Sequence, residues 1–377
     1  MRGFLCAAFL WISFAAVAFS APASPSAAPP VSTPAVAPPL DLNSKPIPLG
    51  GVMKQVSLWR WYVSRFVTAE GRVVDTGNND ISHSEGQGYG MLLAVAFGDR
   101  GTFDRIWSWT RANLMVRDDH LLAWRWDPDH RPPVADVNDA SDGDLLVAWA
   151  LTEAGEYWSS TPYRAAARRI AVDIGRKLVV FRAGKSMLLL PGVSGFAQQD
   201  GKRYVINPSY WVYPALARLP LVAPEIDWSQ LAQGGLDLLT KARFGPRRLP
   251  SDWISVGEGA PAPAPGFQPT FAYNSIRIPL YMAWAGVGER SDYQPFVDWA
   301  RRGDGLDIVD VESGQDKGRF SEPGYRAPAA LLRCVIQKRP FPLELRDPKG
   351  AENYYPATLH ILSLIAMQMR YPSCLAD

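Results

Sequence analysis

The stretch Asp139-Ala-Ser-Asp-Gly-Asp-Leu-Leu-Val-Ala-Trp-Ala-Leu151 decides how the chain is read. Its second half, Leu145 to Leu151, is apolar on every side at helical spacing. Such a helix has no face to offer water and must be covered all round. Working outward, further helical patterns fall at 53–66, 88–97, 103–113, 163–178, 208–217, 228–241, 275–286, 293–302, 327–336 and 355–369. Long loops marked by Gly and Pro separate them. Many helices, several without a polar face, imply an inner ring wrapped by an outer one, in an all-α fold with long loops and few short strands. A helical repeat protein would show a constant period, and none is seen. The best strand signals are 71–74 and 179–190. The alternating Ala/Pro run from Gly259 to Gly266 reads as a stiff loop inside one domain.

The first residues read differently. Arg2, an apolar run from Gly3 to Phe19, then Ser20 and Ala21 describe a secretory signal over 1–20. An uncleaved anchor is the rival, but the run is short for a membrane span and no later segment reaches about 18 unbroken apolar residues. Residues 21–45, rich in Ala, Pro and Ser, read as a tether, which leaves 46–377 as one domain. Export would make the product periplasmic or secreted, with no stable membrane span after signal removal. Cys6 lies in the signal, and Cys334 and Cys374 are free to pair in an oxidising compartment. With four His and no Cys-x-x-Cys, neither a metal site nor a cofactor is expected. A formal charge of +2 argues against a nucleic-acid partner. Fourteen Trp and fourteen Tyr suit either a Trp-rich core or a flat, ring-faced ligand such as a sugar.

Chemistry concentrates in three places. In Ser82-His-Ser-Glu-Gly-Gln-Gly-Tyr-Gly-Met91, Ser82 and Glu85 have capping-box spacing. A cap does not account for three glycines at alternate positions, each costing about 1 kcal/mol in a helix. Either a glycan or a second helix must approach closely there. In the opening stretch, Asp139, Asp142 and Asp144 crowd a helix start; one or two suit capping and the dipole, and the third is surplus. Crowded carboxylates raise one another's pKa, as acid–base chemistry requires. In Phe271-Ala-Tyr-Asn-Ser-Ile-Arg-Ile-Pro-Leu280, Asn274 or Ser275 fits a cap, while Tyr273, Asn274 and Arg277 offer a ring, an amide and a cation. Trp124, Tyr210, Tyr354 and Tyr355 stand near these loops. Sugar rings stack on such side chains, although core packing is the commoner fate of any one of them.

These motifs, with Val74-Asp-Thr-Gly-Asn78, Arg243-Phe-Gly245 and Leu249-Pro-Ser-Asp-Trp253, run in an order that resembles glycoside hydrolase family 8. The similarity is strongest to the periplasmic endo-β-1,4-glucanases (cellulases) of bacterial cellulose synthesis. The resemblance implies an (α/α)6 barrel and an inverting mechanism on a β-1,4-glucan, and raises an association with the cellulose export complex. It implies that Glu85 is the general acid and Asp142 the central carboxylate. Trp124, Tyr210, Tyr273, Arg277 and Tyr355 match sugar-contacting positions, with Tyr354 as the alternative to Tyr355.

One position departs from the pattern. Most of these cellulases carry Asp, the general base, where this chain has Asn274. Three readings follow. Another carboxylate serves, Glu258 or Asp142 itself, as a loop Glu does in one subgroup; this is the reading favoured here. Alternatively Asn274 positions the water and a relay removes the proton. Or the protein is a glucan-binding accessory with weak or no activity. Chitosan and xylan are the competing substrates within the family.

Overall fold

In the computed structural model, Ser141–Tyr157 forms helix α4, and from Ser141 to Gly155 every residue is buried. The structure describes residues 47–181, 186–197, 202–302, 306–348 and 350–376. The expected signal (1–20) and tether (21–45) lie outside the described residues. Around α4 pack α2 (Ser84–Ala96), α5 (Thr161–Lys177) and the short α6 (Tyr213–Leu216). Helices α8 (Arg277–Ala285) and α11 (Tyr354–Arg370) are likewise buried along most of their length. The others have one polar face: α1 (Val56–Phe66), α3 (Arg100–Asn113), α7 (Trp228–Lys241), α9 (Arg290–Arg301) and α10 (Arg326–Gln337). Inner and outer tiers form the expected (α/α)6 barrel, with eleven α-helices among the described residues. No helix among them is long and apolar enough to cross a membrane.

The strands are short and serve the loops. β1 (Ser82–His83) pairs with β2 (Arg125–Trp126), holding the Trp124 segment beside the start of α2. β5 (Tyr204–Ile206) pairs with β6 (Ile254–Val256), and β6 with β7 (Ala262–Pro263). β8 (Thr270–Phe271) pairs with β9 (Asp307–Asp310), and β9 with β10 (Asp316–Arg319). Residues 71–74 make only an isolated bridge, Val67 to Val73, because the run is too short to propagate. The 179–190 signal resolves into two paired two-residue strands, β3 (Val179–Val180) and β4 (Leu188–Leu189). The 208–217 helix breaks into a 3-10 turn, Pro208–Tyr210, and α6, since Pro208 and Pro214 each sit at the start of a new turn.

The caps differ from those the sequence suggested. The N-cap of α2 is His83, whose ring accepts the Gly86 N–H, while the Ser82 hydroxyl turns away to the Val73 carbonyl. The N-cap of α4 is Ala140, and that of α8 is Ile276, neither with a side-chain cap bond. The glycines answer to helix packing. A Cβ on Gly88 would come within 2.6 Å of the Leu146 Cβ, and one on Gly143 within 2.0 Å of the Ser84 hydroxyl. Helices α2 and α4 therefore meet backbone to backbone. Cys334 and Cys374 are joined in a disulfide, closing a 40-residue separation between α10 and the turn after α11.

Candidate active site

Three helix starts converge. Glu85 is the second residue of α2, Asp142 the second of α4 and Arg277 the first of α8. The close approach of α2 to α4 puts the two carboxylates side by side. Arg277, almost wholly buried, then joins them. Its Nη1 donates to Glu85 Oε2 at 2.5 Å and to Asp142 Oδ2 at 2.9 Å. Its Nη2 donates to the Ser209 hydroxyl at 2.8 Å and to Asn274 Oδ1 at 2.9 Å. The guanidinium also lies over the Tyr210 ring at 5.7 Å. Arg277 was expected as a sugar contact; its Nη donors are instead spent on the site's own framework.

Two carboxylates share one guanidinium, and Asp142 is buried. Burial pushes the Asp142 carboxyl up to about 7, with the Glu85 charge adding to the rise and Arg277 opposing it. The remaining Asp142 oxygen accepts the Gly143 N–H at 2.9 Å. Glu85 keeps contact with solvent: its side chain is 17% exposed. It faces a cleft of about 600 Å³ together with Asp142, Trp124, Tyr210, Tyr273, Asn274, Arg277 and Tyr355.

All but one of the expected site residues thus meet in one place. The exception is Glu258. It is exposed and lines a different groove, with Phe181, Gln230, Asp237 and Lys241. The β6–β7 pairing carries its loop toward α7, away from the carboxylate pair. Asp142 is also poorly placed as an inverting base. One nitrogen holds both it and Glu85, so those two oxygens lie within roughly 5.5 Å, closer than the roughly 6.5–9.5 Å that leaves room for water. Asn274, its oxygen engaged by Arg277, has its amide N–H₂ left to offer, a donor where a base must accept.

Asp139 and Asp144 do not reach the cleft. Asp139 accepts the Val193 N–H at 2.9 Å and pairs with Arg117 at 3.6 Å. Asp144 accepts the Leu122 N–H at 2.8 Å, and burial, followed by the Asp139 charge, raises its carboxyl well above the ordinary range. Both pin loops to the start of α4. Between the two candidate tyrosines, Tyr354 is fully buried against Phe66 and His83. Tyr355 lines the cleft, and its hydroxyl donates to the Tyr273 carbonyl at 2.7 Å.

Three cleft residues escaped the sequence reading. Asp75 faces His83 Nε2 at 3.3 Å and accepts the Gly77 N–H at 3.2 Å. His83 lies two residues before Glu85. Both sit in quoted motifs, so a signal existed. Glu322, in the loop after β10, carries none. Its two oxygens accept from the Asn353 backbone N–H at 2.6 Å and side-chain amide at 3.1 Å. Its neighbours Phe320 and Tyr325 pack on Tyr273 at 5.0 and 5.9 Å.

Comparison with known proteins agrees with this geometry. Residues 52–369 match the model of glycosyl hydrolases family 8. A probable endoglucanase of Novacetimonas hansenii is 38% identical over 82% of this chain and 89% of its own length. The crystal structure of a family 8 endoglucanase from Klebsiella pneumoniae superposes with a TM-score of 0.76 at 34% identity, covering 83% of this chain and 99% of that one. An endo-β-1,4-glucanase from Acetobacter xylinum gives 0.75 at 35% identity, over 85% and 99%. A barrel of paired helices with a carboxylate pair in an open trough is the frame of a glycoside hydrolase. The chain belongs to family 8 of the glycosyl hydrolases.

Proposed function

We propose that this protein is an exported endo-β-1,4-glucanase that cleaves cellulose, or a soluble β-1,4-glucan, with inversion. The observation that carries the reading is Glu85, partly open to a ring-lined cleft and tied through Arg277 to a second carboxylate. One proton is shared by that pair. Glu85 delivers it to the glycosidic oxygen as the bond to C1 breaks, and Asp142, held by Arg277, supports the positive charge developing on the sugar. Trp124, Tyr210, Tyr273 and Tyr355 supply faces for the rings.

A water must attack C1 from the opposite face, and its proton needs an acceptor. Asp75 already has both oxygens engaged, one facing His83 and the other accepting the Gly77 N–H. Glu322 belongs to the wall built on Tyr273, next to Asn274, and each of its oxygens keeps a lone pair after its bond to Asn353. Glu322 therefore takes the role first given to Glu258. Asn274 holds the water's oxygen by donating to it.

Residues 46–377 act as the catalytic domain. Export to the periplasm or medium fits the Cys334–Cys374 disulfide, which persists in oxidising compartments. The reading extends to a place beside a cellulose export complex, which the resemblance of the sequence motifs raised.

The test is digestion of cello-oligosaccharides with the product anomer followed by NMR. Initial release of the α-anomer is expected from wild type. Glu322→Gln should lower kcat by about 10²–10⁴-fold, and azide should restore turnover on an activated glycosyl fluoride. Asn274 favours a second reading, a glucan binder without turnover; equal, negligible release by wild type and Glu85→Gln with binding retained would establish it.

A further inference from the structure

A second groove, of about 910 Å³, lies between the exposed face of α9 and the turn that follows α7. It shares no lining residue with the catalytic cleft. Six arginines line it, Arg243, Arg247, Arg248, Arg290, Arg301 and Arg302, against one carboxylate, Asp298. Three of them are balanced: Arg243 pairs with Asp292 at 3.1 Å, Arg247 with Asp316 at 2.8 Å and Arg301 with Asp298 at 3.6 Å. Arg248, Arg290 and Arg302 are exposed, and their side chains have no partner among the described residues. The whole chain carries a formal charge of only +2, so three unmatched cations in one groove are a local concentration. We propose that this groove docks an acidic segment of a partner protein through carboxylate–guanidinium pairs.

Local structure disfavours two of the three. Arg248 stands in the left-handed region, at φ 55°, where glycine or asparagine is the ordinary choice. Arg290 opens α9, and a cation at a helix start opposes the dipole. Its neighbour Asp292 is already engaged, by Arg243 and by the Glu289 N–H at 2.9 Å. Only Arg302, just past the end of α9, lies where the dipole favours a cation. The turn is also held still. The Phe244 N–H donates to the Leu249 carbonyl at 3.0 Å, and the Arg248 N–H to the Gly245 carbonyl at 3.2 Å. Gly245 packs so closely on Val311 that a Cβ would come within 2.1 Å of its carbonyl oxygen. Arg248 is therefore presented from a fixed frame, which lowers the cost of ordering it on binding.

Charge and shape select the occupant. A β-1,4-glucan is neutral, so these guanidinium groups do not address the chain in the cleft. Guanidinium forks match carboxylates with paired hydrogen bonds. Pro246, Pro295 and Trp299 add apolar wall beneath the charges, the arrangement of an interface with a charged rim. Arg290 and Arg302 stand roughly 18 Å apart along α9, a span that about five or six extended residues cover. A bilayer surface is flat and meets protruding basic patches, whereas a concave groove admits a polypeptide segment.

The test reads binding and is separate from turnover. Fluorescein-labelled hexaglutamate and hexaglutamine are titrated by anisotropy against the purified protein, as wild type and as the double variant Arg248→Glu with Arg290→Glu. Wild type should bind hexaglutamate about tenfold more tightly than hexaglutamine, and less tightly as salt rises. The double variant should lose about tenfold in affinity for hexaglutamate, while keeping the wild-type thermal midpoint and the wild-type kcat/KM on cello-oligosaccharides. Equal binding of the two peptides, or hexaglutamate binding unchanged in the double variant, would overturn the proposal. So would binding to phosphatidylglycerol vesicles in preference to the peptide and lost in the double variant, since that result assigns the groove to a lipid surface.

Discussion

Helix α4 carries a buried carboxylate near each end, and each is paired with an arginine. Toward its C-terminal end, Glu153 is 1% exposed. It accepts from Trp149 Nε1 and the Leu49 N–H, both at 3.0 Å, and from Nε and Nη2 of Arg218. One negative charge meets one positive charge, and both oxygens are doubly engaged. At the other end, Asp142 shares Arg277 with Glu85, two carboxylates on one guanidinium. Burial, with the Glu85 charge, raises the Asp142 carboxyl, and the site opens on about 600 Å³ of cleft. Carboxylate–arginine pairing at the two ends of one helix gives a sealed one-to-one tie at Glu153 and, at Asp142, a guanidinium shared with Glu85 beside an open cleft. What differs is the charge balance and the access of solvent.

That contrast breaks cleanly if it is correct. Glu85→Gln should reduce kcat on carboxymethylcellulose by about 10²–10⁴-fold while leaving the urea midpoint nearly unchanged, because Arg277 keeps Asp142, Ser209 and Asn274. Glu153→Ala should do the reverse. It strands a buried guanidinium, at a cost of about 3–5 kcal/mol, read by urea unfolding, while the folded fraction keeps its kcat. A comparable effect at both ends would erase the distinction.

Smaller effects sharpen it. Replacing both Cys334 and Cys374 by Ser should lower stability by about 2–4 kcal/mol, through the freed 40-residue loop, without changing kcat. The subtlest signature is in pH. Asp142 titrates at about 7 in the folded chain against 3.8 unfolded. Between those values the folded form keeps a proton that the unfolded form has lost. Its contribution to stability is therefore complete below the lower value and disappears as pH rises through the upper one. On the proposed mechanism, kcat/KM should fall as pH rises above about 7 and Asp142 loses its proton. In Asp142→Asn the falling limb should move to lower pH; a stationary limb would mean that the carboxylates do not act together.

The legible parts were local. The all-round apolar run at Leu145 to Leu151 told of a covered helix, and α4 is covered. The motifs around Glu85 and the Asp139–Asp144 cluster stood out because they held more glycine or more acid than a cap needs, and the family resemblance chose Asp142 from the three. Capping itself misled: the α2 cap is a histidine ring, and α4 and α8 have no side-chain cap bond. Glu258 was chosen for being a carboxylate in a loop before Tyr273, but loop length says nothing of the direction in which β6 and β7 carry it.

Sequence alone determined most of the helices and the covered character of α4, because periodicity acts over a few turns, and the motif resemblance singled out Glu85 and Asp142. Only tertiary structure decided which distant charges meet. Arg277 lies 192 residues from Glu85 and 135 from Asp142, and becomes their shared partner because three helix starts converge. Glu322 enters the cleft for the same kind of reason, carried by the loop that packs on Tyr273. Electrostatic pairing depends on distance in space, and that distance is set by how the barrel closes.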